Sequence, residues 1–153
     1  LKVAHEFLNN KARCNYTEEG IRWAWRWQST MVWPYFGDCS GTVTDICFRA
    51  KCNDPNGLNW SGGNTASILS HAKRNNLIVT RSKALTCDFV LFGMEPDGYT
   101  PKHVVMLLQP GTVNDPNCFS MGTQGDPSIV PLSILIESIG APIFVHNHTD
   151  VLV

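Results

Sequence analysis

Apolar positions repeat with a helical period through the first half of the chain and as short β-type runs through the second. Ala4, Phe7 and Leu8 share one face of a first helix. Thr17, followed by Glu18 and Glu19, reads as an N-cap with acids in the first turn of a second. Its Trp23 and Trp27 would share a face, with Arg22 and Arg26 on a neighbouring one. A third helix opens at Asp38, because Val43, Ile46, Cys47 and Ala50 fall at i, i+3, i+4 and i+7. The turn signal Asn53-Asp54-Pro55-Asn56-Gly57 and a loop with Gly62 and Gly63 come next, and Thr65 begins a short helix through Ile68, Leu69 and Ala72. Strands are predicted over 77–80, 88–93, 103–109, 118–121, 129–136 and 143–145. Helices followed by an antiparallel sheet make the fold class α+β.

No repeat or composition break divides the 153 residues, so 1–153 reads as a single domain. Since it starts at Leu1 with no signal-peptide pattern, the expectation is a domain excised from a longer protein. The net charge of −1 speaks against a cationic nucleic-acid-binding surface. No apolar run reaches ~18 residues, so membrane insertion is not expected. The six cysteines include no C-x-x-C pair and, at about 4% of the chain, fall below the ~8–10% of disulfide scaffolds. They read as reduced thiols.

One thiol stands apart. In Gly37-Asp38-Cys39-Ser40-Gly41 the Asp38 cap puts Cys39 in the first helical turn. There the helix dipole and unpaired N–H groups favour thiolate, and a backbone N–H can stabilise an oxyanion. The small residues Gly37, Ser40 and Gly41 let a substrate backbone approach. Cys47 lies on the apolar stripe and reads as a core residue. Among five histidines His103 has the context of a base, at the entry of the run Val104-Val105-Met106-Leu107-Leu108.

Asp38-Cys39-Ser40-Gly41, Asp88-Phe89-Val90-Leu91-Phe92-Gly93 and His103-Val104-Val105-Met106 together resemble the NlpC-type, papain-like cysteine peptidases of cell walls, whose pattern is D-C-S-G, G-D-x-x-x-F and H-V. Asp54-Pro55-Asn56-Gly57-Leu58 and Thr65-Ala66-Ser67-Ile68-Leu69-Ser70-His71 resemble more closely the peptidase domains of actinobacteriophage endolysins, those of mycobacteriophages above all. The likeness covers roughly residues 30–130. It implies helices carrying Cys39 packed on a central antiparallel sheet carrying His103, and a covalent thiolate mechanism without cofactor or metal. Bacterial peptidoglycan would be the substrate, an amide of a stem peptide or cross-link the scissile bond, and a monomer, made in the host bacterium's cytoplasm, the working form in host wall lysis.

The resemblance also implies a polar group that orients the histidine. The branch's S-H-G-x-E-x-G-P pattern is similar to Ser120-Met121-Gly122-Thr123-Gln124-Gly125-Asp126-Pro127, which makes Gln124 the orienter and Asp126 its rival. Met121 stands where a histidine is common, Gln124 where a glutamate is, and Cys87 where a glycine precedes the aspartate. Tyr35, Ser40 and Asp38 are assigned to substrate binding, Tyr35 as the aromatic before the nucleophile segment. Two other readings stay open: a catalytically impaired wall-binding module, and a Cys/His N-acetylmuramoyl-L-alanine amidase. His146-Asn147-His148 has only Asp150 as a further ligand, so no metal is expected there, and His71 packs on its helix or lines the cleft.

Overall fold

The computed structural model describes residues 1–122 and 127–147. The chain runs α1 (Lys2–Asn9), β1 (Cys14–Tyr16), β2 (Tyr35–Gly37), α2 (Cys39–Arg49), α3 (Thr65–Arg74), β3 (Ile78–Val79), β4 (Phe89–Phe92), β5 (His103–Leu107), β6 (Asn117–Met121), β7 (Pro127–Pro131), α4 (Leu132–Ile139) and β8 (Pro142–Val145). Six strands form one antiparallel sheet in the order β3-β8-β4-β5-β6-β7, while β1 and β2 make a separate parallel pair. The class is α+β, as the pattern predicted.

Side-chain alternation explains why the sheet is covered on both faces. Phe89, Leu91, Val104, Met106 and Phe119 pack with Ile46, Cys47, Ile68 and Leu69 from α2 and α3. Val90, Phe92, Val105 and Leu107 pack on the opposite face with Leu132 and Leu135 of α4. Hence every residue of β4 is buried. The Asp54-to-Leu58 turn is tied to this core through its polar side chains. Asp54 accepts the Asn56, Leu58 and Trp60 N–H groups, and the Asn56 amide donates to Thr44 Oγ1 at 3.0 Å. Ser67 donates to Asn56 Oδ1 at 2.7 Å and shares a capping box with Asn64, so the loop is pinned to both α2 and α3.

Two elements depart from the predicted ones. Residues 20–27 wind as a 3-10 helix rather than an α-helix. At about three residues per turn, positions four apart no longer share a face. Accordingly Trp23 and Trp25 are buried and Trp27 is 79% exposed. The apolar run 129–136 is not one strand: β7 ends at Pro131 and α4 begins at Leu132. Asp115, distant in sequence, caps that helix by accepting the Ser133 N–H at 2.9 Å and its hydroxyl at 2.7 Å.

Candidate active site

Asp38 is the N-cap of α2, its Oδ1 accepting the Gly41 N–H at 2.7 Å. The cap places Cys39 as the first helical residue, as the sequence predicted. Arg22 Nε lies 3.3 Å from Asp38 Oδ2, which fastens the 3-10 segment to the same helix end.

The sheet supplies the facing half. Register pairing of β5 with β6 comprises Met106↔Phe119 and Leu107↔Cys118, although β5 starts at His103 and β6 continues to Met121. Ser120 and Met121 pair instead with β7. The two strands therefore fork, and the N-terminus of α2 meets the fork: Cys39 packs in one cluster with Val104, whose N–H is near enough to favour its thiolate. Val104 directly follows His103, so the fork brings the nucleophile segment to the candidate base. Across it, His103 Nε2 lies 2.8 Å from Ser120 Oγ.

The electrostatics differ from the expectation at Cys39. Burial pushes its thiol up to about 11, with the Asp38 carboxylate adding to the rise. The N–H groups of Val104, Ser40 and Cys39 itself act the other way and are outweighed. Burial likewise pushes His103 down to about 4. Near neutral pH the site holds a thiol and a neutral imidazole, not the thiolate that a helix dipole acting alone would favour. Desolvation is the cause, because both charged forms lose water in the fork.

The residues assigned to substrate binding are engaged inside the fold. Tyr35 is 5% exposed, its hydroxyl 3.1 Å from Thr42 Oγ1 and its ring edge-on to Phe7 at 4.7 Å. Ser40 is buried, with its hydroxyl 3.4 Å from Asp38 Oδ1. The Asp38 carboxylate is taken up by the cap and by Arg22. These three hold the helix end in place rather than present themselves to a ligand. Gln124 and Asp126 lie outside the described residues. The polar partner that the structure gives His103 is Ser120, whose only sequence signal was its place as the first residue of the 120–127 segment.

Sequence reasoning also passed over Tyr16. It pairs with Gly37 across β1 and β2, is half-buried, and sits close enough for Cys39 to influence its hydroxyl. Burial, followed by its 2.8 Å hydrogen bond to Glu18 Oε1, raises the phenol far above its ordinary value. Tyr16 thus brings an aromatic ring and a hydroxyl held by Glu18 into the neighbourhood of the Cys39 thiol.

His71 and His146 lie elsewhere. They help to line a cavity of about 500 Å³ near Asp54, Asn75 and Asn147, and none of Cys39, His103 or Ser120 borders it. Asp88, fully buried, holds His146 Nδ1 at 3.3 Å and accepts the Asn147 and Leu85 N–H groups, so it organises the sheet end rather than the fork. Among the described residues no group of three or more His, Cys, Asp or Glu is placed to hold a metal ion. None of their helices is long and apolar enough to cross a membrane.

No protein-family model matches the chain, and no curated protein sequence matches it. Among solved structures it is similar to an N-acetylmuramoyl-L-alanine amidase from Staphylococcus aureus, with 12% identity and a TM-score of 0.48. The likeness covers 78% of this chain and 33% of the amidase chain, so this chain spans about a third of that protein. At this level of similarity the match carries no argument about chemistry.

Proposed function

We propose that this domain is a cysteine hydrolase of bacterial peptidoglycan, the lytic module of a phage endolysin, cutting a stem-peptide or cross-link amide. The observation that carries the reading is the fork, where a helix-N-terminal cysteine meets the strand of a histidine whose Nε2 is fixed by Ser120. The D-C-S-G, D-x-x-x-F and H-V segments supply the substrate class through their resemblance to wall peptidases.

With Nε2–H donating to Ser120 Oγ, the other ring nitrogen carries the lone pair that takes the Cys39 proton. Because both groups start neutral, proton transfer accompanies attack instead of preceding it. Cys39 Sγ adds to the carbonyl carbon, and the oxyanion is met by N–H groups at the start of α2. His103 then returns the proton to the departing amine, and water hydrolyses the thioester. Tyr16 lines the approach, and Ser120 is a positioning residue acting through His103.

Turbidity of permeabilised actinobacterial cells tests this. The native domain should clear them and Cys39→Ala should be slower by about 10³-fold or more. Ser120→Ala should lie between, down on the order of 10–10²-fold in kcat with KM little changed. Equal lysis by the native protein and Cys39→Ala would refute the proposal. Wall binding without release of amino groups would establish the impaired-module reading in its place. Masses of the released fragments separate a peptide cut from a cut between muramic acid and alanine, which would make the enzyme an amidase using the same thiol.

A further inference from the structure

The far end of α2 carries two cysteines that the fork does not use. The helix closes at Ala50, and Lys51 follows in the left-handed region at φ 59. The Lys51 N–H donates to Phe48 O at 3.2 Å, and the Cys52 N–H donates to Cys47 O at 2.9 Å. This pair of bonds is a Schellman cap, which folds the second residue past the cap back onto the third residue from the helix end. Those positions usually hold an apolar pair. Here they hold Cys47, fully buried, and Cys52, half-buried and packed in the same cluster, with the Cys47 thiol donating to Asn147 Oδ1 at 3.4 Å.

We propose that Cys47 and Cys52 are a redox-active dithiol that closes to a disulfide across the C-terminal cap of α2 when the protein meets a low-molecular-weight disulfide. Cys52 is the entry point because it is the accessible member of the pair. The neighbouring Cys47 draws the Cys52 thiol down to about 6, while burial drives Cys47 itself well above its ordinary value. The Cys52 thiolate attacks one sulfur of the small disulfide and expels the other as a thiolate, leaving a mixed disulfide. Cys47 then attacks Cys52 Sγ, the second small thiolate leaves, and the Cys47 proton passes to it. Two protein thiols are oxidised, and one small disulfide is reduced to two thiols.

The other thiols are less suited to the first step. Burial holds Cys39 up to about 11 and Cys118 up to about 12, so at neutral pH both remain protonated. The pair thus takes up an oxidant at one end of α2 while the thiol at the other end stays reduced. Cys87 is near enough to Cys47 to influence it and is the rival partner.

Oxidised glutathione added to the folded protein, followed by acid quench, alkylation without reduction and trypsin digestion, tests the proposal. Arg49 and Lys51 lie between the two cysteines, so only a disulfide can keep peptides 27–49 and 52–73 together. The joined species is expected in the native protein and in Cys39→Ala, with fragmentation placing the link at Cys47. It should vanish on prior reduction. Cys47→Ser should instead accumulate a stable glutathione adduct on Cys52. A persistent Cys52 adduct in the native protein, a link to Cys87, or no reaction in the folded state would each overturn the proposal. The readout does not depend on lytic activity, so it is independent of the function proposed above.

Discussion

Replacing His103 by Gln makes the cost of burying an imidazole measurable. An unfolded chain protonates this histidine near 6.5, whereas burial lowers it to about 4 in the fold. Between these values the unfolded state holds the extra proton, so the histidine's contribution to stability is complete above 6.5 and falls away as the pH drops toward 4. At about 1.4 kcal/mol per pH unit, the gap corresponds to a loss of about 3 kcal/mol. The native protein alone would hide this. Burial raises Asp45 from 3.8 to about 7 against the pull of Arg49, whose Nε is 3.0 Å away. A raised carboxylate acts with the opposite sign: its contribution is complete below 3.8 and is lost as the pH rises through 7. The two nearly cancel across the same window. His103→Gln keeps a polar partner for Ser120 and leaves Asp45 untouched, so the difference in urea-unfolding free energy between native protein and variant isolates the histidine. That difference should fall by up to about 3 kcal/mol between about pH 8 and about pH 4. A constant difference would refute the argument. A difference that grows on acidification would show that His103 is protonated in the fold and that the site is an ion pair after all.

Other perturbations probe the framework of the site. Asp38→Ala removes the bond accepted from the Gly41 N–H and the partner of Arg22. It should lower unfolding stability by roughly 1–3 kcal/mol, because the cap is lost and the largely buried Arg22 guanidinium is left without its carboxylate. Unchanged stability in urea would show that the cap is not what anchors Cys39. Gly63 has φ 143, and a Cβ there would run into the Asn56 carboxamide. Gly63→Ala should therefore disrupt the bonds from Asn56 to Thr44 and from Ser67 to Asn56 and cost roughly 1–3 kcal/mol, read as a lower thermal midpoint.

The places of Cys39 at a helix start and His103 at a strand entry were legible because each is announced locally, whereas the choice of His103 as base came from the resemblance. An aspartate before a Cys-Ser-Gly run is a cap whatever surrounds it, and a histidine opening a five-residue apolar run sits at a strand entry. Ser120 was not legible in the same way. It lies 17 residues from His103 and reaches the ring across two strands that stop pairing, a divergence that no periodicity encodes. Tyr16 was missed for a related reason: it comes to the site through β1, a three-residue strand paired with β2 that no hydrophobic pattern marks.

Sequence alone determined the α+β class, the helix that starts at Cys39, the helix that begins at Thr65 and the strands within 88–93 and 103–109. Each of these is set by hydrogen bonds and apolar spacings within a few residues of one another. Tertiary structure decided what depends on distant groups. Asp115 converts the tail of an apolar run into α4, and the fork between β5 and β6 selects the partner of His103. Burial in that fork then overrides the helix dipole and leaves the thiol and the imidazole neutral. A dipole is a property of the local helix, but desolvation is a property of everything packed around the sulfur.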